Sequence, residues 1–237
     1  MKRILNLLTI TFIVIMFSAC YMVKKSESYY GLETGTSKKI VYVIDISGSM
    51  EGKAETDLKG NVISTAGSKV GNAVGNKVGG KLGNIISKQT SDQLTKLGKA
   101  KKELMPSIRG LSEDTYFTLI VFENNVKKLN KQLVQATATN KNLAIAYLEK
   151  LASGGGTNMS DALEESFALT GVETIFVLSD GAPNEGKIPD PQGILEAVAK
   201  WNSSKSVKIN TIGLGEDCDK DFMKKLAEQN GGQFIDK

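Results

Sequence analysis

Five oxygen-bearing side chains stand at three points of the chain where loops follow apolar runs or glycines. The stretch "VYVIDISGSM" ends its apolar run at Asp45, and Ser47 and Ser49 follow at alternate positions. Thr157 comes after three glycines in "GGGTN", and Asp180 stands in "LSDG". Carboxylates and hydroxyls are hard oxygen ligands, which match Mg²⁺, while Mn²⁺ or Ca²⁺ would also fit. These residues therefore predict a divalent metal site.

The composition excludes several other kinds of site. The chain has no histidine, which excludes Ser-His-Asp and Cys-His catalysis and ordinary histidine-based zinc sites. It also lacks the G-x-x-x-x-G-K-[ST] pattern of a phosphate-binding loop. With 237 residues, of which 41% are hydrophobic and 24% charged, it has the make-up of a soluble globular protein. Two cysteines, Cys20 and Cys218, do not make a disulfide framework.

Alternating strands and helices must position the five residues. Apolar runs predict strands in "KKIVYVIDIS", "TYFTLIVFEN", "VETIFVLSD" and "VKINTIGLG", a short edge strand in "NVKKL" and a last strand in "QFID". Helical spacing predicts a helix interrupted near Pro106, one capped by Thr139 or Asn140, one capped by Ser160, and two more towards the end of the chain. This order predicts an α/β fold, a doubly wound, mostly parallel sheet with helices on both faces and one antiparallel edge strand. Ligands of such sheets bind at the carboxyl ends of the strands.

"DISGSM", "GGTN" and "LSDG", in this order and on this strand pattern, resemble the von Willebrand factor A domain. Its metal-ion-dependent adhesion site has the form D-x-S-x-S with a distant threonine and a distant aspartate. The resemblance covers residues 38–237 apart from an insertion. It implies that Ser47 and Ser49 bind the metal directly, that Thr157 and Asp180 bind it directly or through water, and that Asp45 acts through water.

Charge counting at this site favours binding over catalysis. Neutral hydroxyl ligands leave a divalent metal electron-poor, and a carboxylate from a partner protein could displace a water from its remaining coordination position. The two aspartates are committed to the metal, so no general base of suitable pKa remains. We predict a protein-binding module and not an enzyme; a Mg²⁺-dependent phosphatase that uses Asp180 is the enzymatic alternative. No nucleic acid is expected as a partner.

Residues 1–19 have the parts of an export signal. Lys2 and Arg3 precede an apolar run, and two small residues precede Cys20. The stretch "FSAC" resembles the lipobox of bacterial lipoproteins, although Phe17 stands where leucine is usual. The resemblance implies that Cys20 is lipidated, becomes the first mature residue and anchors the protein to a lipid membrane. The alternative is an ordinary secretory signal in which Cys20 is incidental.

The signal indicates a location in a bacterial cell envelope. Tyr21 follows Cys20 in place of the aspartate associated with inner-membrane retention in some bacteria, which favours the outer membrane. Residues 20–37 are polar and without helical or strand period, which predicts a short surface tether to the domain at 38–237.

Residues 53–90 are an insertion between the D-x-S-x-S loop and the first helix. Within "AGSKVGNAVGNKVGGKLGNII" a glycine recurs at every fourth position: Gly67, Gly71, Gly75, Gly79 and Gly83. The spacing resembles a glycine zipper, in which small residues let helices approach closely. A closely packed helix, a flexible glycine-rich loop and a membrane-inserted segment all remain open.

Two functions are compatible with these features. The first is a membrane-anchored, divalent-metal-dependent protein-binding module of the bacterial envelope. The alternative is an assembly protein in which the glycine-zipper insertion drives self-association or membrane contact and the metal site is secondary.

Overall fold

The computed structural model describes residues 28–33, 36–52 and 95–237. The strands in these ranges are β1 (Ser28–Tyr29), β2 (Leu32–Glu33), β3 (Lys39–Asp45), β4 (Tyr116–Phe122), β5 (Val126–Lys128), β6 (Val134–Gln135), β7 (Thr174–Ser179), β8 (Lys208–Gly213) and β9 (Phe234–Asp236). The helices are α1 (Lys96–Gly110), α2 (Ala138–Lys150), α3 (Met159–Phe167), α4 (Pro191–Asn202) and α5 (Lys220–Glu228), and a 3₁₀ helix spans Gly48–Glu51.

Strands β3 to β9 form one mostly parallel sheet in the order β5-β4-β3-β7-β8-β9. Strands β5 and β6 both pair antiparallel with β4, and the remaining pairs are parallel. This confirms the predicted fold class, and β5 is the predicted edge strand in "NVKKL". The chain places β4 on one side of β3 and β7 on the other. The topological switch point, where open α/β sheets bind ligands, therefore lies between β3 and β7.

The sheet is covered on both faces, which explains the unbroken apolar runs of its central strands. In β3, Ile40, Tyr42 and Ile44 belong to the buried cluster that includes α1 and α2. Val41 and Val43 belong to the cluster that includes α3, α4 and α5. Because successive side chains of a strand point to opposite faces, both sets must be apolar and no polar alternation is left to see.

Helix α1 continues through Pro106 to Gly110, so the interruption predicted near Pro106 is wrong. Proline removes one backbone N–H from the helical ladder and costs about 3 kcal/mol or more in a helix interior. Leu104 and Ile108 flank this position and are both buried in the core. Tertiary packing of this apolar face stabilises the helix more than the lost hydrogen bond weakens it.

The first turns of α2 and α3 differ from the prediction. Thr137 caps α2, where Thr139 or Asn140 was expected, and its side chain accepts an N–H three residues on at 3.3 Å. Asn158 caps α3 in place of Ser160 and likewise accepts an N–H at 3.2 Å. Serine, threonine and asparagine all cap well. Where several stand close together, the one whose backbone leaves the helical region becomes the cap.

Residues 28–33 lie within the segment predicted as a surface tether, and they instead form a hairpin packed on the core. The Tyr29 ring meets Tyr42 edge-on with centroids 5.5 Å apart and lies 5.8 Å from Phe176. Leu32 is also buried. A few apolar side chains in a polar segment show no period, so the sequence pattern did not indicate this contact.

Other predictions concern residues outside the described ranges. These are the export signal at 1–19, Cys20, and the insertion at 53–90 with its repeated glycines. Within the part of the chain that is described, none of the helices is both long and apolar enough to cross a membrane.

Candidate metal centre

The structure brings the five predicted residues to one edge of the sheet, at the switch point. Asp45 is the last residue of β3, and Asp180 follows directly after β7, the neighbouring strand. Both carboxylates are fully buried. Burying two acids next to each other is unfavourable unless each is paired or hydrogen-bonded, so their partners define the site.

Ser47 and Ser49 stand at alternate positions, yet they lie in a tight turn and not in an extended segment. The 3₁₀ helix begins at Gly48, and the two serine Oγ atoms are 3.0 Å apart. Ser49 also donates its hydroxyl hydrogen to Oδ1 of Asp180 at 2.8 Å. The turn thus places both hydroxyls within reach of one small ion and ties them to the carboxylate after β7.

Asp45 is held by groups from both strands. Its Oδ1 accepts the backbone N–H of Ser47 at 2.7 Å, and its Oδ2 accepts the hydroxyl of Ser179, the last residue of β7. Burial raises the pKa of Asp45 to about 6, although these hydrogen bonds act in the opposite direction. Through its bond with the N–H of Ser47, Asp45 orients the start of the serine turn.

The glycine-rich loop before α3 closes over the serine turn through backbone hydrogen bonds. Gly48 N–H donates to the carbonyl of Gly155 at 2.9 Å, and Gly154 N–H donates to the carbonyl of Ile46 at 2.8 Å. Gly155 has φ +77°, a left-handed conformation that side chains other than glycine adopt with difficulty. Glycine at this position allows the left-handed turn that carries the carbonyl of Gly155 bonded to Gly48.

Thr157 follows this loop and is almost completely buried. Its N–H donates to Oδ1 of Asn184 at 2.9 Å, which links it to the loop after β7. A Cβ placed on Gly181 would lie 3.7 Å from Ser49 Oγ and 3.9 Å from Thr157 Oγ1. The two hydroxyls therefore border the same small space, which glycine at 181 leaves open.

Lys96 is a member of the site that sequence reasoning missed. It is the first residue of α1, is buried, and donates from Nζ to Oδ2 of Asp180 at 2.8 Å. Its Nζ is also 3.7 Å from Oδ2 of Asp217, whose side chain is exposed. A lysine in the first turn of a helix is ordinarily a solvated residue. Nothing in its local pattern signals an inward position.

Ser179 and Asn184 also escaped the sequence analysis as functional residues. Both lie near Asp180 in "LSDGAPN". Ser179 donates its hydroxyl to Asp45, and Asn184 accepts the N–H of Thr157. Serine before an aspartate and asparagine after a proline are common loop residues. The signal that could have found them is their adjacency to Asp180.

The donor set fits a hard divalent cation. Hydroxyls of Ser47, Ser49 and Thr157 stand beside two carboxylates, and Mg²⁺ prefers such oxygen ligands together with water. Among the described residues, no group of three or more histidine, cysteine, aspartate or glutamate side chains could hold a metal. A metal at this edge would therefore depend on the hydroxyls, as the spacing of the two serine oxygens allows.

Comparison with known sequences identifies relatives over most of the chain. A family model described as von Willebrand factor type A domain matches residues 87–235. This range contains Thr157 and Asp180 but not the D-x-S-x-S stretch. Inter-alpha-trypsin inhibitor heavy chain H2 of Sus scrofa is 30% identical over 207 residues, and its counterpart of Homo sapiens is 28% identical. Each match covers 82% of this chain, which spans only 17% of the length of these relatives.

Solved structures share the fold at lower identity. A von Willebrand factor type A protein from Catenulispora acidiphila superposes with a TM-score of 0.59 at 18% identity, over 85% of this chain and 39% of the other. An aerotolerance-related membrane protein from Bacteroides fragilis gives a TM-score of 0.53 at 15% identity, over 84% and 90% of the two chains. The PilB minor pilin from Streptococcus sanguinis gives 0.54 at 15% identity, over 87% and 59%.

Proposed function

The chain belongs to the von Willebrand factor type A family, and from this premise we propose that it is a membrane-anchored, divalent-metal-dependent protein-binding module of a bacterial envelope. Domains of this family are typically protein-interaction modules and not enzymes. They also commonly bind divalent metals. The family thus supports a binding role, and the site of this chain supports its metal dependence.

The observation that carries the proposal is the convergence of three loops at the switch point. Ser49 Oγ lies 3.0 Å from Ser47 Oγ and 2.8 Å from Oδ1 of Asp180, although Asp180 is 131 residues away in sequence. Thr157 Oγ1 borders the same space. Three separate segments place hard oxygens around one point, as a cation site requires.

Each residue has a distinct part in holding the metal. Ser47, Ser49 and Thr157 would hold Mg²⁺ through their hydroxyl oxygens, and Asp180 would supply a carboxylate. Asp45 positions the serine turn through the N–H of Ser47. A bound Mg²⁺ supplies a positive centre at which a carboxylate from a protein partner can bind, and Mn²⁺ or Ca²⁺ would fit the same oxygens.

The hydrogen bonds of the two carboxylates support binding over catalysis. Asp45 accepts hydrogen bonds from Ser47 and Ser179, and Asp180 accepts them from Ser49 and Lys96. A general base needs a lone pair directed at the proton that it removes. Both carboxylates are instead engaged with the groups that build the site.

Thermal unfolding of the purified protein, with and without millimolar Mg²⁺ or Mn²⁺, tests the metal dependence. A metal at 100 times its Kd adds about 2.7 kcal/mol to the free energy of unfolding, and the midpoint should rise accordingly. Ser47→Ala removes one hydroxyl ligand and should abolish the rise. Ser203→Ala, which changes an exposed serine at the end of α4, should keep it. No rise in the unsubstituted protein would contradict the proposal.

Membrane anchoring at Cys20 is tested separately. Bacterial lipoproteins incorporate labelled palmitate, so the protein should be labelled. It should also be recovered in the outer-membrane fraction of the cells. Cys20→Ser should lose both properties. Equal labelling of the Cys20→Ser protein would contradict lipidation at this residue and would leave an ordinary secretory signal.

A deletion can test the alternative, an assembly protein driven by the insertion. The carbonyl of Gly52 accepts the N–H of Lys96 at 2.9 Å, so the two ends of the segment between them meet. Gly52 and Lys96 are thus adjacent in the domain, and a deletion of residues 53–90 keeps residues 91–94 between them. Loss of self-association with retained metal binding after this deletion would favour the assembly role.

A further inference from the structure

The metal centre contains a buried cation that belongs to the protein. Lys96 donates from Nζ to Oδ2 of Asp180 at 2.8 Å, and its side chain is only 9% exposed. Asp180 uses its other oxygen, Oδ1, to accept the hydroxyl of Ser49. One carboxylate therefore faces the hydroxyl ligands on one side and an ammonium group on the other.

The backbone around Lys96 is shaped to hold its side chain. Gly215 has φ +78°, and a Cβ at this position would lie 3.0 Å from Cε and 3.2 Å from Nζ of Lys96. The N–H of Lys96 donates to the carbonyl of Gly52, in the turn that carries Ser49. Lys96 thus lies in a cradle formed by the loop after β8 and the serine turn. The surrounding backbone holds its side chain against Asp180.

Asp217 is the second acid near this ammonium, and the contact is weaker. The separation of Lys96 Nζ and Asp217 Oδ2 is 3.7 Å, and the side chain of Asp217 is 86% exposed. Water screens an exposed carboxylate, whereas the fully buried Asp180 interacts with Lys96 in a medium of lower dielectric. The charge of Lys96 therefore acts mainly on Asp180.

Counting the buried charges shows what Lys96 changes. Asp45 and Asp180 together carry two negative charges, and Lys96 reduces this to one. A divalent cation would be neutralised by the two carboxylates alone, but with Lys96 present the loaded site keeps one positive charge. Like charges repel more strongly in a buried site than in water, so the ammonium opposes metal binding and favours an additional anion.

We propose that Lys96 is a resident counter-cation that weakens divalent metal binding and leaves the loaded centre with a positive charge for one carboxylate of a protein partner. This inference rests on the proposed metal-dependent function and concerns how that site is regulated. Lys96 does not bind the metal itself: it acts by its positive charge, which is paired with Asp180. This charge lowers the affinity of the site for the metal and raises the affinity of the loaded site for an acidic ligand.

Titration calorimetry with Mn²⁺ alone tests the first half of the proposal in the full chain. Lys96→Met keeps the length of the side chain without its charge and should bind Mn²⁺ about tenfold tighter or more. Lys96→Arg keeps the charge and should stay within about threefold of the unsubstituted protein. Asp217→Asn, which removes the exposed neighbour of Lys96, is the matched control and should also change affinity by less than about threefold.

Acetate tests the second half as a minimal carboxylate. Bound Mn²⁺ enhances the relaxation of water protons, and an anion that displaces its water lowers the enhancement. Acetate should lower it at concentrations several-fold smaller in the unsubstituted protein than in Lys96→Met, because only the former keeps the surplus charge. Equal acetate titrations in the two proteins would overturn this half.

The outcomes separate this inference from the proposed function. If the unsubstituted protein and Lys96→Met bind Mn²⁺ equally, the role of Lys96 is overturned and the metal site stands. If neither binds Mn²⁺, the proposed function fails and the inference fails with it. If Lys96→Met does not fold without metal, Mn²⁺-dependent recovery of its helical circular dichroism supports the proposal, and no recovery overturns it.

Discussion

The hydroxyl of Ser49 donates to Oδ1 of Asp180 at 2.8 Å, and the ammonium of Lys96 donates to Oδ2 of the same carboxylate at 2.8 Å. Asp180 therefore connects the serine turn, the start of α1 and the end of β7. Because parallel strands end at the same edge of the sheet, the fold brings these segments together although they are far apart in the sequence.

The ion pair between Lys96 and Asp180 should contribute to stability in the absence of metal. Asp180→Ala leaves the buried ammonium without its main partner, and loss of one member of such a pair costs about 3–5 kcal/mol. Urea unfolding in EDTA measures this loss. The double variant Lys96→Met/Asp180→Ala removes both charges and should be more stable than Asp180→Ala alone. If the loss in the double variant equalled the sum of the losses in Lys96→Met and Asp180→Ala, the two charges would not interact.

Gly215 should be required because its backbone cradles Lys96. Gly215→Ala adds a methyl group 3.0 Å from Lys96 Cε and also strains a backbone at φ +78°. Gly231→Ala is a matched control, because its φ is +67° and nothing lies within 4 Å of its added Cβ. Strain alone should cost about 1–2 kcal/mol in each variant.

The difference between these two glycine variants reports the contact with Lys96. Gly215→Ala should lose about 1 kcal/mol more than Gly231→Ala in urea unfolding, because the displaced ammonium moves away from Asp180. Equal losses would mean that Lys96 adjusts freely and that the cradle does not hold it.

Much of the architecture was predictable because it depends on local patterns. The apolar runs of β3 and β7 are visible since both faces of these strands are covered. Asp45, Ser47 and Ser49 were predictable as site residues because the motif is contiguous. Asp180 was recognisable because it directly follows β7.

The parts that were missed depend on distant contacts. Lys96 lies next to the serine turn, where its N–H bonds the carbonyl of Gly52, and no local sequence pattern predicts this contact between residues far apart in the chain. The hairpin at 28–33 is fixed by the contact of Tyr29 with Tyr42 and Phe176 in the sheet. The position of Lys96 and the packing of the hairpin both depend on tertiary contacts, which local sequence patterns do not show.

The metal-free protein should show a pH dependence that originates at Asp45. Burial raises the pKa of Asp45 to about 6 in the folded state, whereas an aspartate in an unfolded chain titrates near pH 3.9. The folded state binds this proton more tightly, so the contribution is present below about pH 4 and is lost as the pH rises through about 6. Urea unfolding in EDTA across this range measures it.

Asp45→Asn is the reference for this pH dependence. Hydrogen bonds and ion pairs lower the pKa of Asp114, Glu123 and Asp161, and these acids produce the opposite trend in both proteins. The difference in the free energy of unfolding between the two proteins therefore isolates Asp45. A difference that does not change between pH 4 and 7 would show that Asp45 titrates normally.

Cys218 should be unreactive in the folded protein. Its side chain is buried, and burial raises the pKa of its thiol to about 11. Near pH 8 only about one molecule in a thousand would carry the reactive thiolate. In the Cys20→Ser protein, reaction with a disulfide reagent should be at least about a hundredfold slower in buffer than in urea. Rapid labelling in buffer would contradict the buried position of Cys218.

The hairpin at 28–33 should stabilise the domain through the ring of Tyr29 and not through its hydroxyl. The ring packs against Tyr42 and Phe176, and deletion of a buried aromatic ring costs about 3–5 kcal/mol. Tyr29 Oη is buried and has no hydrogen-bond partner among the described residues. Tyr29→Ala should therefore be strongly destabilised in urea unfolding, and Tyr29→Phe should lie within about 0.5 kcal/mol of the unsubstituted protein or above it.

Tyr42→Phe is the matched control for the hydroxyl of Tyr29. Tyr42 Oη is hydrogen-bonded with Ser107 Oγ at 3.2 Å, and both atoms are buried. Removing this hydroxyl leaves Ser107 without that partner and should cost about 1 kcal/mol or more. A loss in Tyr29→Phe as large as in Tyr42→Phe would show that the hydroxyl of Tyr29 makes a stabilising hydrogen bond. A small loss in Tyr29→Ala would instead show that the hairpin does not pack on the sheet in solution, because its ring would then have no buried contacts to lose.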